Sequence, residues 1–288
     1  MNNVNGILLM ILAMAGFALE DLFVKLLSSS ISTAQILIVM GLASSSIFAA
    51  MAFNKGHNVF AAQSYSKTMI ARAVVEAMGA IAFVTSLSLV PISTVAAVFQ
   101  VTPLAITMGA ALFLGEQVGW RRWTAIAVGF FGVIVIIRPG LSGFDPAVLY
   151  VLVAVVCISA RDLLTRRIPT NIASTVISFQ AFASLIFAGA LLLVLSSDTM
   201  VQVSKLEVAY FAGGIVFGVA GYYGLVTATR IGDASTVTPF RYTRLLFSIV
   251  VGVIVFNERP DALTLLGAAI IIGTGLFTFL RERKLSSR

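Results

Sequence analysis

The stretch TVTPFRYTRLLFSIVVGVIVF, residues 236–256, is apolar and long enough to cross a membrane, yet Arg241 and Arg244 stand inside it. A helix rises ~1.5 Å per residue and a bilayer core is ~30 Å thick, so about 20 residues make one crossing. An arginine at the centre of such a helix costs ~2.5–3.5 kcal/mol on the insertion scale, while each Leu, Ile, Val or Phe returns ~0.3–0.6 kcal/mol. Segment 234–256 sets twelve such residues against its two arginines, so insertion comes out near break-even. That arrangement gains nothing facing lipid and makes sense facing a polar interior. The two arginines lie three positions apart, share a helix face and are bordered by Tyr242. Pro239 sits nearby, lacks an amide proton and predicts a kink.

The rest of the chain has the same character. Its 288 residues are 59% hydrophobic and 11% charged, with a mean hydropathy of +1.03, more apolar surface than a soluble protein can hide. Hydropathy predicts an all-α polytopic membrane protein with ten transmembrane helices at about 6–27, 32–53, 69–89, 92–114, 121–138, 147–165, 171–195, 207–229, 234–256 and 262–280. The first run lacks a basic flank and a convincing cleavage site, so it reads as a retained helix. Val90-Pro91-Ile92 and Ile231-Gly232-Asp233 are turns that separate runs hydropathy alone would merge.

Lys and Arg in the connections predict the orientation. With the N-terminus in the cytoplasm, thirteen basic residues fall inside (Lys55, Lys67, Arg72, Arg121, Arg122, Arg161, Arg166, Arg167, Arg230, Arg281, Arg283, Lys284 and Arg288) and four outside (Lys25, Arg138, Lys205 and Arg259). The expected location is the plasma (inner) membrane with both termini cytoplasmic. The formal charge of +7 then reflects positive inside loops, and no basic face interleaved with aromatics points to nucleic acid.

The chain also repeats itself. Ser93-Thr94-Val95 recurs as Ser235-Thr236-Val237, and Phe113-Leu114-Gly115-Glu116 as Val255-Phe256-Asn257-Glu258, both offset by 142 residues. Glu20-Asp21-Leu22 matches Arg161-Asp162-Leu163 at an offset of 141. Two copies, 1–143 and 144–288, with five spans each must enter the membrane from opposite sides. Inverted repeats of this kind build alternately accessible states around a central site in secondary transporters.

The two stretches TPLAITMGAALFLGEQVGWRRWTAIAVGFFGVIVI and YTRLLFSIVVGVIVFNERPDALTLLGAAIIIGTGLFTF resemble the end of an EamA domain of the drug/metabolite transporter superfamily, in which a helix ends in an acidic turn and a Gly-punctuated helix follows. The resemblance covers essentially the whole chain as two tandem domains. It implies a ten-helix transporter with a central cavity, as in amino-acid exporters of the YddG type. Pro103, Glu116 and Glu258 match the family pattern, whereas Leu245 stands where Pro103 should recur.

Several chemistries are excluded. One Cys, Cys157, and one His, His57, cannot supply a disulfide or a structural zinc site, so no metal and no cofactor is expected. There is no GxxxxGK phosphate cradle, so transport must draw on a gradient. The absence of a His cluster or a nucleophile–base pair argues against an enzyme. The expected partners are a small-molecule substrate and the bilayer, with one chain as the functional unit.

For the site, a guanidinium favours carboxylate or phosphate. Arg244, nearer the midplane, is the better candidate to hold a substrate carboxylate; Arg241 and Glu76 are candidate substrate-binding residues too, or else a buried pair that satisfies both charges and binds nothing. Gln100, Tyr242, Tyr222 and Tyr223 are further candidate lining residues, with Pro103 and Pro239 as kinks. Glu20 and Asp21, and their repeat mates Arg161 and Asp162, are candidate gate or pairing residues. Gly214, Gly218, Gly221 and Gly224 form a small-residue stripe that predicts a close helix contact. The reading is amino-acid export, with uptake of a larger vitamin or nucleoside derivative as the alternative.

Overall fold

Inside each apolar run nothing competes with the helix, and the breaks fall where Ser, Pro and Gly supply caps and turns. The computed structural model describes residues 3–141, 144–169, 171–196, 199–231 and 237–286. Its helices are α1 (Asn3–Leu27), α2 (Thr33–Asn54), α3 (Lys67–Leu89), α4 (Ile92–Phe99), α5 (Thr102–Phe113), α6 (Trp120–Ile137), α7 (Val148–Thr165), α8 (Ser174–Leu195), α9 (Lys205–Ile231), α10 (Thr243–Phe256) and α11 (Ala262–Ser286). Among the described residues ten segments are long and apolar enough to cross a membrane, with α4 and α5 together making one of them. Ser32 Oγ accepts from Gln35 N–H at 3.3 Å and Ser66 Oγ from Met69 N–H at 3.4 Å, which start α2 and α3. The turn at Pro91 separates α3 from α4 as expected. Ile231 ends α9, while Gly232 and Asp233 of the other predicted turn, the Ser235-Thr236 half of the repeat, and the proposed boundary at 143 lie outside the described residues or beside them.

The acidic turn is built the same way twice. Gly115 (φ 70°) and Asn257 (φ 51°) both take the left-handed conformation that glycine and asparagine tolerate best. The following amides then reach back six residues, Glu116 N–H to Ala110 O at 3.2 Å and Glu258 N–H to Gly252 O at 2.9 Å. Repeat-equivalent sequence thus gives repeat-equivalent backbone.

The packing keeps the same relation. The heavily packed pairs include α1 with α9, α3 with α7, α2 with α8, α6 with α11 and α4 with α10. Exchanging the two five-span copies carries α1–α9 into α7–α3 and returns α2–α8 and α6–α11 to themselves. Close approach is paid for by glycine: a Cβ at Gly189 would sit 2.5 Å from Ala34 O, and one at Gly221 3.1 Å from Ala13 O. Gly214, Gly218, Gly221 and Gly224 all face α1 or α2, as the stripe predicts.

At the bundle end opposite residues 3 and 286, polar ties join the elements. Lys25 Nζ donates to Leu87 O at 2.9 Å and Val90 O at 2.6 Å. Glu258 accepts from Ile92 N–H (2.7 Å), Ser93 N–H (3.0 Å) and Ser93 Oγ (2.6 Å), capping α4 with a full negative charge. Its repeat mate Glu116 instead meets Arg166 at 2.9 Å, at the other end.

Candidate functional site

Two breaks, one in each copy, shape the centre. In the first, Pro103 has no N–H to give Phe99 O, and Thr102 Oγ1 donates to that carbonyl at 2.5 Å instead. Gln100 and Val101 amides fall back to the carbonyls three residues earlier, so α4 stops and α5 restarts. In the second, Pro239 lies in a 3₁₀ turn, Thr238–Tyr242, that runs into α10. The predicted kinks are therefore a helix break and a 3₁₀ entry. Gln100 and Tyr242, 142 positions apart, meet between them: Gln100 Nε2 donates to Tyr242 O at 3.4 Å.

Beside these breaks lies a cavity of about 230 Å³. Its aromatic wall includes Phe17, Phe83, Phe99, Phe182 and Tyr222, and its charged lining is Glu20, Asp21, Glu76, Arg161, Arg241 and Arg244. Tyr222 packs edge-on against Phe48 and Phe182, with centroids at 5.7 and 5.9 Å. Gln100 and Pro103 also line it.

Most of the charges are already spoken for. Arg244 donates from Nη2 to both Asp21 oxygens, at 2.8 and 2.7 Å, and from Nε at 3.2 Å. Its guanidinium also lies 5.3–5.5 Å from the ring centroids of Phe17, Phe83 and Phe99, contacts worth about 0.5–2 kcal/mol each depending on desolvation. Glu76 does not pair with Arg241 as the sequence suggests. It meets Arg161 at 2.9 Å and Arg72, one turn earlier on α3, at 3.2 Å. The reason is helix pairing: α3 packs along α7, which carries Arg161. Arg161 also holds Asp162 at 2.7 Å. Arg72 is only 2% exposed and bonds Thr165 Oγ1 at 2.9 Å, so this residue, counted with the loop charges, belongs to the buried network.

Glu20 and Arg241 are different. Both line the cavity, and neither side chain makes an ion pair or hydrogen bond among the described residues. Two other candidates are not brought to the cavity. Tyr242 is buried with its hydroxyl against Gly275 of α11 and without a hydrogen-bond partner among the described residues. Tyr223 is 45% exposed and lies beside Lys55. The phenylalanine wall was missed in the sequence, where Phe is too common (21 residues) to mark a site. The i, i+4 spacing of Arg72 and Glu76 was a readable signal for that pair.

Ten apolar spans in two copies around a central cavity with an aromatic wall and a few charged side chains define a membrane transporter. The model of the EamA-like transporter family matches residues 4–138 and again 145–280. The chain belongs to that family, within the drug/metabolite transporter superfamily. It is 32% identical over 205 residues to an S-adenosylmethionine uptake transporter of Rickettsia conorii, covering 70% of this chain and 68% of that one. It is 31% identical over 217 residues to a riboflavin transporter of Rhizobium johnstonii, covering 75% and 70%. A pseudopaline exporter of Pseudomonas aeruginosa is 22% identical over 274 residues, 93% of each chain. The chain is a transporter, not an enzyme.

Proposed function

We propose that this transporter takes up a nucleoside-derived zwitterion of the S-adenosylmethionine type across the inner membrane by alternating access, with both termini in the cytoplasm. The observation that carries the reading is the lining of the cavity: three carboxylates, three guanidinia and five aromatic rings. An amino-acid moiety suits the charges, and a purine suits the rings. The relative from Rickettsia conorii supports that substrate class and the direction of uptake. Amino-acid export, the first reading of the sequence, has the amino-acid end in common with it but leaves the aromatic wall without a function.

A second reading, uptake of a flavin, draws on the same rings and on the riboflavin transporter relative. Counterflow in proteoliposomes with labelled S-adenosylmethionine, riboflavin and free amino acids separates the three. Exchange of S-adenosylmethionine is the expected result; exchange of riboflavin alone, or of amino acids alone, overturns the reading.

A further inference from the structure

We infer that Glu20 is the subsite for a permanently cationic centre of the substrate and Arg241 the subsite for its carboxylate. The inference rests on the transport reading above and assigns its two charged ends to particular side chains.

Of the six charged lining residues, Asp21 is engaged by Arg244 and Glu76 by Arg161. That leaves one acid and one base in the cavity with no opposite charge in contact among the described residues. A lone carboxylate and a lone guanidinium inside a membrane protein are costly unless water or a ligand meets them. They also sit among groups of opposite balance. Glu20 adjoins Asp21 and the Arg244 that Asp21 already occupies, two carboxylates against one guanidinium. Arg241 faces the Arg72, Glu76, Arg161 and Asp162 cluster, which it brings to three guanidinia against two carboxylates.

The repeat produces this polarity. Glu20 and Arg161 occupy matching positions 141 residues apart, as do Asp21 and Asp162, so the exchange of copies sets a carboxylate on one side and a guanidinium on the other. Gly218 on α9 makes room for Glu20, since a Cβ there would lie 2.5 Å from Glu20 Oε1.

A ligand matching both ends carries a cation as well as a carboxylate. In S-adenosylmethionine the sulfonium supplies that cation, set off from the α-carbon by two side-chain methylenes, in addition to the α-ammonium. A sulfonium carries no hydrogen-bond donor, so it is recognised by charge, and a carboxylate not already bound to a guanidinium is the group that can do so. A flavin, being neutral, would leave both charges uncompensated.

The test is transport in proteoliposomes of S-adenosylmethionine and its neutral thioether analogue S-adenosylhomocysteine by the wild type, Glu20→Gln, Glu20→Asp, Arg241→Gln and Arg241→Lys. The wild type should prefer the sulfonium by about tenfold, and Glu20→Gln should bring the two within about twofold by lowering sulfonium transport alone. Its melting temperature should hold or rise, since an uncompensated charge is removed. Glu20→Asp keeps the charge with a shorter reach and should weaken the preference in part, which covers a folding failure of Glu20→Gln. Arg241→Gln should lower both compounds by about tenfold, and Arg241→Lys should recover only part, because a point charge does not reproduce the planar fork. Wild-type transport of neither compound overturns the substrate reading and this inference with it. Normal transport with an unchanged sulfonium preference in both Glu20 variants overturns the inference alone.

Discussion

Arg244 and Asp21, 223 residues apart, form a two-pronged ion pair that ties α10 to α1 beside the cavity. Their side chains are 16% and 5% exposed, so the pair is largely desolvated. Removing one partner leaves the other charge buried, a change that costs about 3–5 kcal/mol. Arg244→Gln should therefore lower the melting temperature of purified protein, and Asp21→Asn added to it should restore much of the loss. Equal melting temperatures for Arg244→Gln and the wild type would remove the pair from the stability of the fold.

The carboxylate of Glu258 satisfies the N-terminus of α4 through three hydrogen bonds. Glu258→Ala strips that cap, and orphaned amides at a helix start cost about 1–3 kcal/mol. The elements at this end should then part more readily. Leu87, a cavity-lining residue that is 1% exposed, reports on it after Cys157→Ser. A cysteine placed there should react faster with an impermeant reagent applied from that side when Glu258→Ala is present. An unchanged labelling rate would show that Glu258 does not hold this end closed.

Asp261, outside the spans, gives a pH dependence. The hydrogen bond from Arg138, with the backbone N–H of Thr264, holds its carboxyl down to about 2, from 3.8. A depressed carboxylate contributes stability that is present above its unfolded value and is lost as pH falls through the folded one. The melting temperature of the wild type should thus decline between about pH 4 and pH 2 more than that of Asp261→Asn. The effect is small, because the Asp261 side chain is 51% exposed and the pair is screened by solvent. Parallel pH profiles for the two proteins would exclude the clasp.

Topology and energy source are tested together in liposomes and cells. His57 and Ser29 are exposed at opposite ends of the bundle. In a Cys157→Ser background, a cysteine at 57 should label only from the cytoplasm and one at 29 only from outside. Transport should run in sealed vesicles without ATP, since the sequence holds no nucleotide cradle. Labelling of position 57 from outside, or strict ATP dependence of the purified protein, would refute these assignments.

The sequence by itself determined the layers of this protein. Apolar runs of membrane length set the ten spans, because a helix satisfies its backbone groups in lipid within a single contiguous run of about 20 residues. The repeated acidic turns at Gly115-Glu116 and Asn257-Glu258, five spans apart, set two inverted copies, and Pro103 and Pro239 marked where the central helices break. Those signals are local: each depends on neighbouring residues along one chain segment. Which charge meets which depended on helix pairing, and only the tertiary structure decided it. Packing of α3 on α7 gave Glu76 to Arg161, and packing of α1 on α10 gave Asp21 to Arg244. Arg241 and Glu20 were left facing the cavity for the same reason. A charge in a membrane span announces from its cost alone that it has a polar neighbour, but the identity of that neighbour is a contact across 85 or 223 residues, which no local pattern encodes.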